Sequence, residues 1–84
     1  MPRYYFHVFN GSGETRDDEG VELPDLEAAR LEALWGIRSM LRDEIASGSI
    51  DFAGKIQITD RDNRHLLDVP FPAAVEVRNL RGSK

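Results

Sequence analysis

The sequence predicts an α+β fold: a small antiparallel sheet of three to four strands in β-β-α-β-β order, with one long helix packed on one face. Three observations carry this. An aromatic run from Tyr4 to Phe9 opens the chain, and apolar residues at helical spacing fill its middle from Leu26 to Ile45. Two alternating segments, 54–59 and 65–69, then flank a polar turn. A period of two marks strands, and a period of 3.6 marks a helix with one buried face.

Tyr4-Tyr5-Phe6-His7-Val8-Phe9 is the first strand, and Asn10-Gly11-Ser12-Gly13 turns the chain out of it. Alternation puts Tyr4, Phe6 and Val8 on one face and Tyr5, His7 and Phe9 on the other. Both faces are partly apolar, so one covers the core and the other is thinly covered or meets a partner. His7 reads as a partly exposed sheet residue. Residues 14–23 read as a polar edge strand, with Gly20 as a bulge or turn and with Val21 and Leu23 pointing inward. Its charges suit an edge that must not recruit other chains.

Pro24 ends the extended segment, Asp25 is the expected N-cap, and Glu27 suits the positive first turn. The helix runs to about Ala46, where Ser47-Gly48 stops it. At about 100° per residue, Leu26, Ala29, Ala33, Ile37, Met40, Leu41 and Ile45 share the core stripe, with Leu34 at its margin. Gly36 lies beside the stripe, which points to close approach of helix and sheet. On the opposite side Leu31, Trp35, Arg38 and Arg42 follow at i, i+4, i+7 and i+11. Aromatic and arginine residues are enriched at binding hot spots. The alternative is that Trp35 folds down over a sheet edge or under a loop.

Ile50 and Phe52, in the loop after the helix, are expected to cap the core. Gly54 to Thr59 and His65 to Val69 form a hairpin around Asp60-Arg61-Asp62-Asn63-Arg64. Pro70-Phe71-Pro72 breaks the second strand. Residues 73–77 read as one helical turn or a short strand, and Phe71 and Val75 close the core. Residues 1–78 make one domain, followed by a frayed basic tail, 79–84.

Composition narrows the function classes. A chain of 84 residues buries only about three-fifths of its unfolded surface, so partnership would help it. The absence of cysteine excludes disulfides, thiolate zinc sites and a cysteine nucleophile. It also fits a reducing, cytoplasmic location, and no apolar run is long enough to span a membrane. The net charge of −4 argues against generic nucleic-acid binding. Acids crowd residues 14–27, whereas Arg78, Arg81 and Lys84 close the chain.

No motif rises to a catalytic, metal or cofactor site. Asp60 and Asp62 start like a calcium loop, but Arg64, His65 and Phe71 stand where it needs an oxygen ligand, glycine and glutamate. Asp17-Asp18-Glu19 reads as a solvated acidic turn. His7 and His65 lack metal-ligand spacing. Acids, not a helix start, follow Gly11-Ser12-Gly13, which excludes a phosphate loop. None of Ser12, Ser39, Ser47, Ser49 and Ser83 sits in a Gly-x-Ser-x-Gly context.

Met1-Pro2-Arg3-Tyr4-Tyr5-Phe6, the block from Asp17 to Arg30 (D-x-x-G-x-E-L-P-D-L-x-A-A-R), and Val69-Pro70-Phe71 together resemble a family of short bacterial proteins known only as a domain of unknown function. The resemblance covers nearly the whole chain. It implies a stand-alone β-β-α-β-β domain and brings no activity, ligand or catalytic residue. A looser likeness links the Pro-Asp-Leu segment and alanine-rich helix to antitoxin-type domains, by analogy alone.

The function expected is therefore a non-enzymatic protein-interaction or self-association module. Its surface is Leu31, Trp35, Arg38 and Arg42 with Tyr5 and Phe9, and its partner is a second copy or an unidentified protein. The alternative is an antitoxin-like regulatory protein contacting a protein partner, or nucleic acid through Arg78 to Lys84. A third reading is a small-molecule binder with Tyr5, His7 and Phe9 as one wall of its pocket.

Overall fold

β1 (Arg3–Asn10) is the spine of the sheet, and both of its edges are occupied. The computed structural model describes residues 1–11 and 13–76. One edge of β1 pairs antiparallel with β4 (Lys55–Thr59), from Tyr5↔Thr59 to Phe9↔Lys55. β4 in turn pairs with β5 (His65–Pro70). The other edge of β1 is shared. β2 (Gly13–Thr15) covers Val8 to Asn10, and β3 (Val21–Glu22) covers Arg3 and Tyr4. The architecture is α+β as expected, with five strands rather than three to four.

The extra strand arises because residues 14–23 do not form one edge strand. The chain leaves the ladder at Arg16 and returns at Val21, and Gly20 makes the return with φ 70°. A Cβ there would sit 2.9 Å from Tyr4 O, so only glycine fits. Val21 is exposed rather than inward-facing, while Leu23 is half-buried against the core.

α1 (Leu26–Ser47) begins and ends where its caps dictate. Asp25 Oδ1 accepts the Ala28 N–H at 2.8 Å, and Gly48, in the left-handed region at φ 98°, donates to the Glu44 and Ile45 carbonyls. Ala29, Ala33, Leu34, Ile37 and Leu41 are buried against Tyr4, Ile56, Ile58 and Val69, with Met40 packed at the margin. Leu26 and Ile45, expected in that stripe, are exposed, Ile45 by 61%. A helix of 22 residues is about 33 Å long, outreaching the strands beneath it. Gly36 is not a forced close approach either. An added Cβ would meet Ile56 Cδ1 at 3.8 Å, an ordinary contact.

The hairpin turn is knotted by Asp60, whose Oδ1 accepts the N–H groups of Asp62 and Arg64 at 2.9 Å. Asn63 takes the left-handed position at φ 63°. A bulge at Ile58/Thr59 lets Leu66 and Leu67 both pack against the core. β5 runs directly into a 3₁₀ turn (Phe71–Ala74), earlier than the expected turn or strand over 73–77. That shift turns Phe71 and Ala74 inward, so Val75 does not close the core and is exposed. Ile50 and Phe52 are also exposed, at the margin rather than over the core. The basic tail and the boundary at residue 78 lie outside the described residues.

Candidate functional site

The six residues expected to form one interaction surface fall on two opposite sides of the molecule. α1 covers the sheet face of Tyr4, Phe6 and Val8, so its outward stripe looks away from the sheet. Tyr5 and Phe9 lie on the other sheet face, which no helix covers.

On the helix side, Trp35 is 66% exposed and Leu31 46%, with Arg38 and Arg42 also at the surface. Trp35 therefore covers neither a sheet edge nor a loop. Arg38 does not extend into solvent. Its guanidinium lies 5.5 Å from the centre of the Trp35 ring, and its Nε donates to the Ala74 carbonyl at 2.6 Å. A cation over an indole face is attracted by the ring's electrons. The 3₁₀ turn thus holds Arg38, and Arg38 flanks Trp35.

The open sheet face is mixed, with Tyr5, Phe9 and Pro70 set among polar and charged residues. Register sets Tyr5 beside Thr59 and His65, His7 beside Gln57 and Asp68, and Phe9 beside Lys55 and Pro70. Lys55 Nζ stands 5.5 Å from the Phe9 ring centre and bonds Asp68 at 3.2 Å. Asp68 also takes a bond from His65 Nε2 at 3.0 Å. Burial works against the Asp68 charge, but these two donors outweigh it and hold the carboxyl below its ordinary range.

His7 is not partly exposed, as its place on that face led us to expect. It is 3% exposed, roofed by residues 16–20. Its Nδ1 accepts the Asp17 main-chain N–H at 3.0 Å, so the ring proton sits on Nε2 and is donated to Thr59 Oγ1 at 3.1 Å. Burial, reinforced by nearby Arg16, lowers the His7 pKa below its ordinary 6.5.

Asp17 is likewise no simple solvated acid. Its Oδ2 accepts the Phe6 N–H at 3.0 Å, and its Oδ1 accepts those of Glu19 and Gly20 at 3.0 and 3.1 Å. Burial disfavours the carboxylate, but three backbone donors more than compensate, and its pKa falls below the ordinary 3.8. Sequence reasoning missed this His7–Asp17–Thr59 network. The available signal was Asp17-x-x-Gly20, an Asx-turn pattern with glycine at its left-handed position.

Beside this network lies an open cleft of about 240 Å³ lined by Tyr5, His7, Arg16, Asp18, Thr59 and Arg61, among others. Phe9, the third residue of the expected pocket wall, does not line it. The described residues contain no cluster of three or more His, Cys, Asp or Glu side chains able to hold a metal ion. None of their helices is long and apolar enough to cross a membrane.

By fold the molecule is a single helix laid on a five-stranded antiparallel sheet, with a tryptophan–arginine face outside and a polar cleft beneath. Residues 3–72 match the family described as Domain of unknown function (DUF6894), and the chain belongs to that family. A search of curated proteins gives no match, and a search of solved structures gives none.

Proposed function

We propose that this chain is a non-enzymatic interaction module that self-associates through the outward face of α1. Trp35 carries the reading: a large aromatic, 66% exposed, beside Leu31 at 46%. Covering that apolar area removes it from water and favours association. Arg38 is already anchored between the Trp35 ring and the Ala74 carbonyl, so less side-chain freedom is lost when a partner docks.

Charge favours a second copy as the partner. Glu27 stands near one end of the stripe and Arg42 near the other. An antiparallel copy centred on Trp35 sets Arg42 of each chain near Glu27 of the other, and such pairing fixes register more than it adds affinity. Trp35 is the sole tryptophan, so its fluorescence reports this face alone. On dilution of the wild-type chain, emission should move to longer wavelength as the indole returns to water. Emission at the solvent-exposed wavelength at every concentration overturns the reading.

Small-molecule binding is the second reading, favoured by the cleft beside Tyr5 and His7. It is weaker because no buried side-chain polar atom among the described residues lacks a partner, so none awaits a ligand. The nucleic-acid contact of the antitoxin-like reading rests on Arg78, Arg81 and Lys84, which lie outside the described residues.

A further inference from the structure

We propose that His7 is an acid-sensitive latch: protonation of its Nδ1 releases residues 16–20 from β1 and uncovers the edge of that strand from Tyr5 to His7. The edge has a gap there, because β3 pairs with Arg3 and Tyr4 and β2 pairs only from Val8 onward. Residues 16–20 close the gap without forming a strand. Two reciprocal bonds fasten them to the gap, Phe6 N–H to Asp17 Oδ2 and Asp17 N–H to His7 Nδ1, each 3.0 Å long, while Arg3 Nη1 to the Glu19 carbonyl at 2.7 Å and Arg16 Nη2 to Asn63 Oδ1 at 3.2 Å tie the segment at its ends.

The second bond requires a neutral ring. With Nδ1 accepting from Asp17 and Nε2 donating to Thr59, both ring nitrogens are committed. A proton added at Nδ1 makes a donor face a donor, and the Asp17 N–H loses its acceptor. The nearby acceptor for the new N–H is the Asp17 carboxylate, which already serves Phe6, Glu19 and Gly20. Turning it toward the imidazolium draws it away from its present alignment with those donors, Phe6 N–H first. Either outcome loosens the loop over Tyr5 to His7, leaving the Arg3–Glu19 and Arg16–Asn63 bonds as its remaining ties.

The charged surroundings of His7 are mixed. Arg16 from the loop opposes the cation, while Asp17, Asp18 and Glu14 favour it. Asp60 and Arg61 line the same cleft from the hairpin turn. Lys55, His65 and Asp68 lie further across the same sheet face. Burial is the largest influence and keeps the ring neutral near pH 7, so the latch is closed there. Opening it leaves unpaired strand backbone, a template for pairing with another chain.

NMR of the full chain tests this, following the His7 ring nitrogens and amide-exchange protection together from about pH 7.5 to about pH 4.5. The proposal expects protection of the Phe6, Asp17 and Gly20 amides to fall at least roughly tenfold as the His7 ring protonates, with Ile56 and Ile58 in β4 still protected. The transition should persist in His65→Gln and vanish in His7→Gln. Protonation of His7 with Phe6 and Asp17 protection unchanged overturns the proposal. So does a His7 that stays neutral until the β4 amides lose protection too. Both of these results come from the wild-type chain, so they stand even where His7→Gln does not fold.

Discussion

Asp17 donates its main-chain N–H to Nδ1 of His7 at 3.0 Å, across ten residues of sequence. That bond fixes the ring's tautomer, and the Asp17 carboxylate returns to the same strand to accept the Phe6 N–H. One residue therefore closes the gap that β2 and β3 leave on β1.

Removing that carboxylate should cost more than its surface position implies. Asp17→Ala strands the part-buried Phe6 N–H and unties Glu19 and Gly20. We expect about 2–3 kcal/mol of destabilisation in urea unfolding, against about 1 kcal/mol for Asp17→Asn, which keeps one acceptor oxygen. Two variants both within about 0.5 kcal/mol of wild type would remove Asp17 from this role.

Stability should rise with pH through the acid range in two parts. The folded His7 pKa lies below 6.5, so as pH falls through 6.5 the unfolded chain takes up the proton first. The His7 contribution is full above 6.5 and declines from there down to the folded value. Asp17, lowered from 3.8, contributes above 3.8 and is lost as pH falls through that value toward its folded one. Melting temperatures against pH should show the upper step in wild type and not in His7→Gln. A wild-type curve without a step just below 6.5 contradicts the buried neutral ring.

Two glycines should respond in opposite directions. At Gly36 an added methyl meets only Ile56 Cδ1 at 3.8 Å. Gly36→Ala should therefore stabilise α1 by up to about 1 kcal/mol through helix propensity. At Gly54 the methyl would run into Phe71 Cε2 and stand 2.5 Å from Phe9 O. Gly54→Ala should cost at least about 3 kcal/mol or prevent folding. Thermal unfolding of the two variants side by side reads both signs, and a destabilised Gly36→Ala or a neutral Gly54→Ala contradicts the packing described.

What the sequence made legible was local. The first strand, both helix caps at Asp25 and Gly48, and the hairpin at Asp60–Arg64 each follow from short-range chemistry. The failures were matters of context. Helical periodicity put Leu26 and Ile45 in the core stripe, but both are exposed, because nothing in the periodicity says how far the sheet extends beneath the helix. Residues 14–23 read as one strand because the pairing partner of each residue is a property of β1, not of the segment. His7 read as exposed because alternation assigns a face and not the loop that folds over it. The outward stripe at Leu31, Trp35, Arg38 and Arg42 was visible from spacing alone, whereas the anchoring of Arg38 on Ala74 needed the 3₁₀ turn.

Sedimentation equilibrium of the wild-type chain and Trp35→Glu, with circular dichroism on both, tests the interaction reading most directly. The reading predicts a dimer or larger assembly for the wild type and a monomer with unchanged helix content for the variant. A monomeric wild type, or an assembly that Trp35→Glu leaves intact, contradicts it.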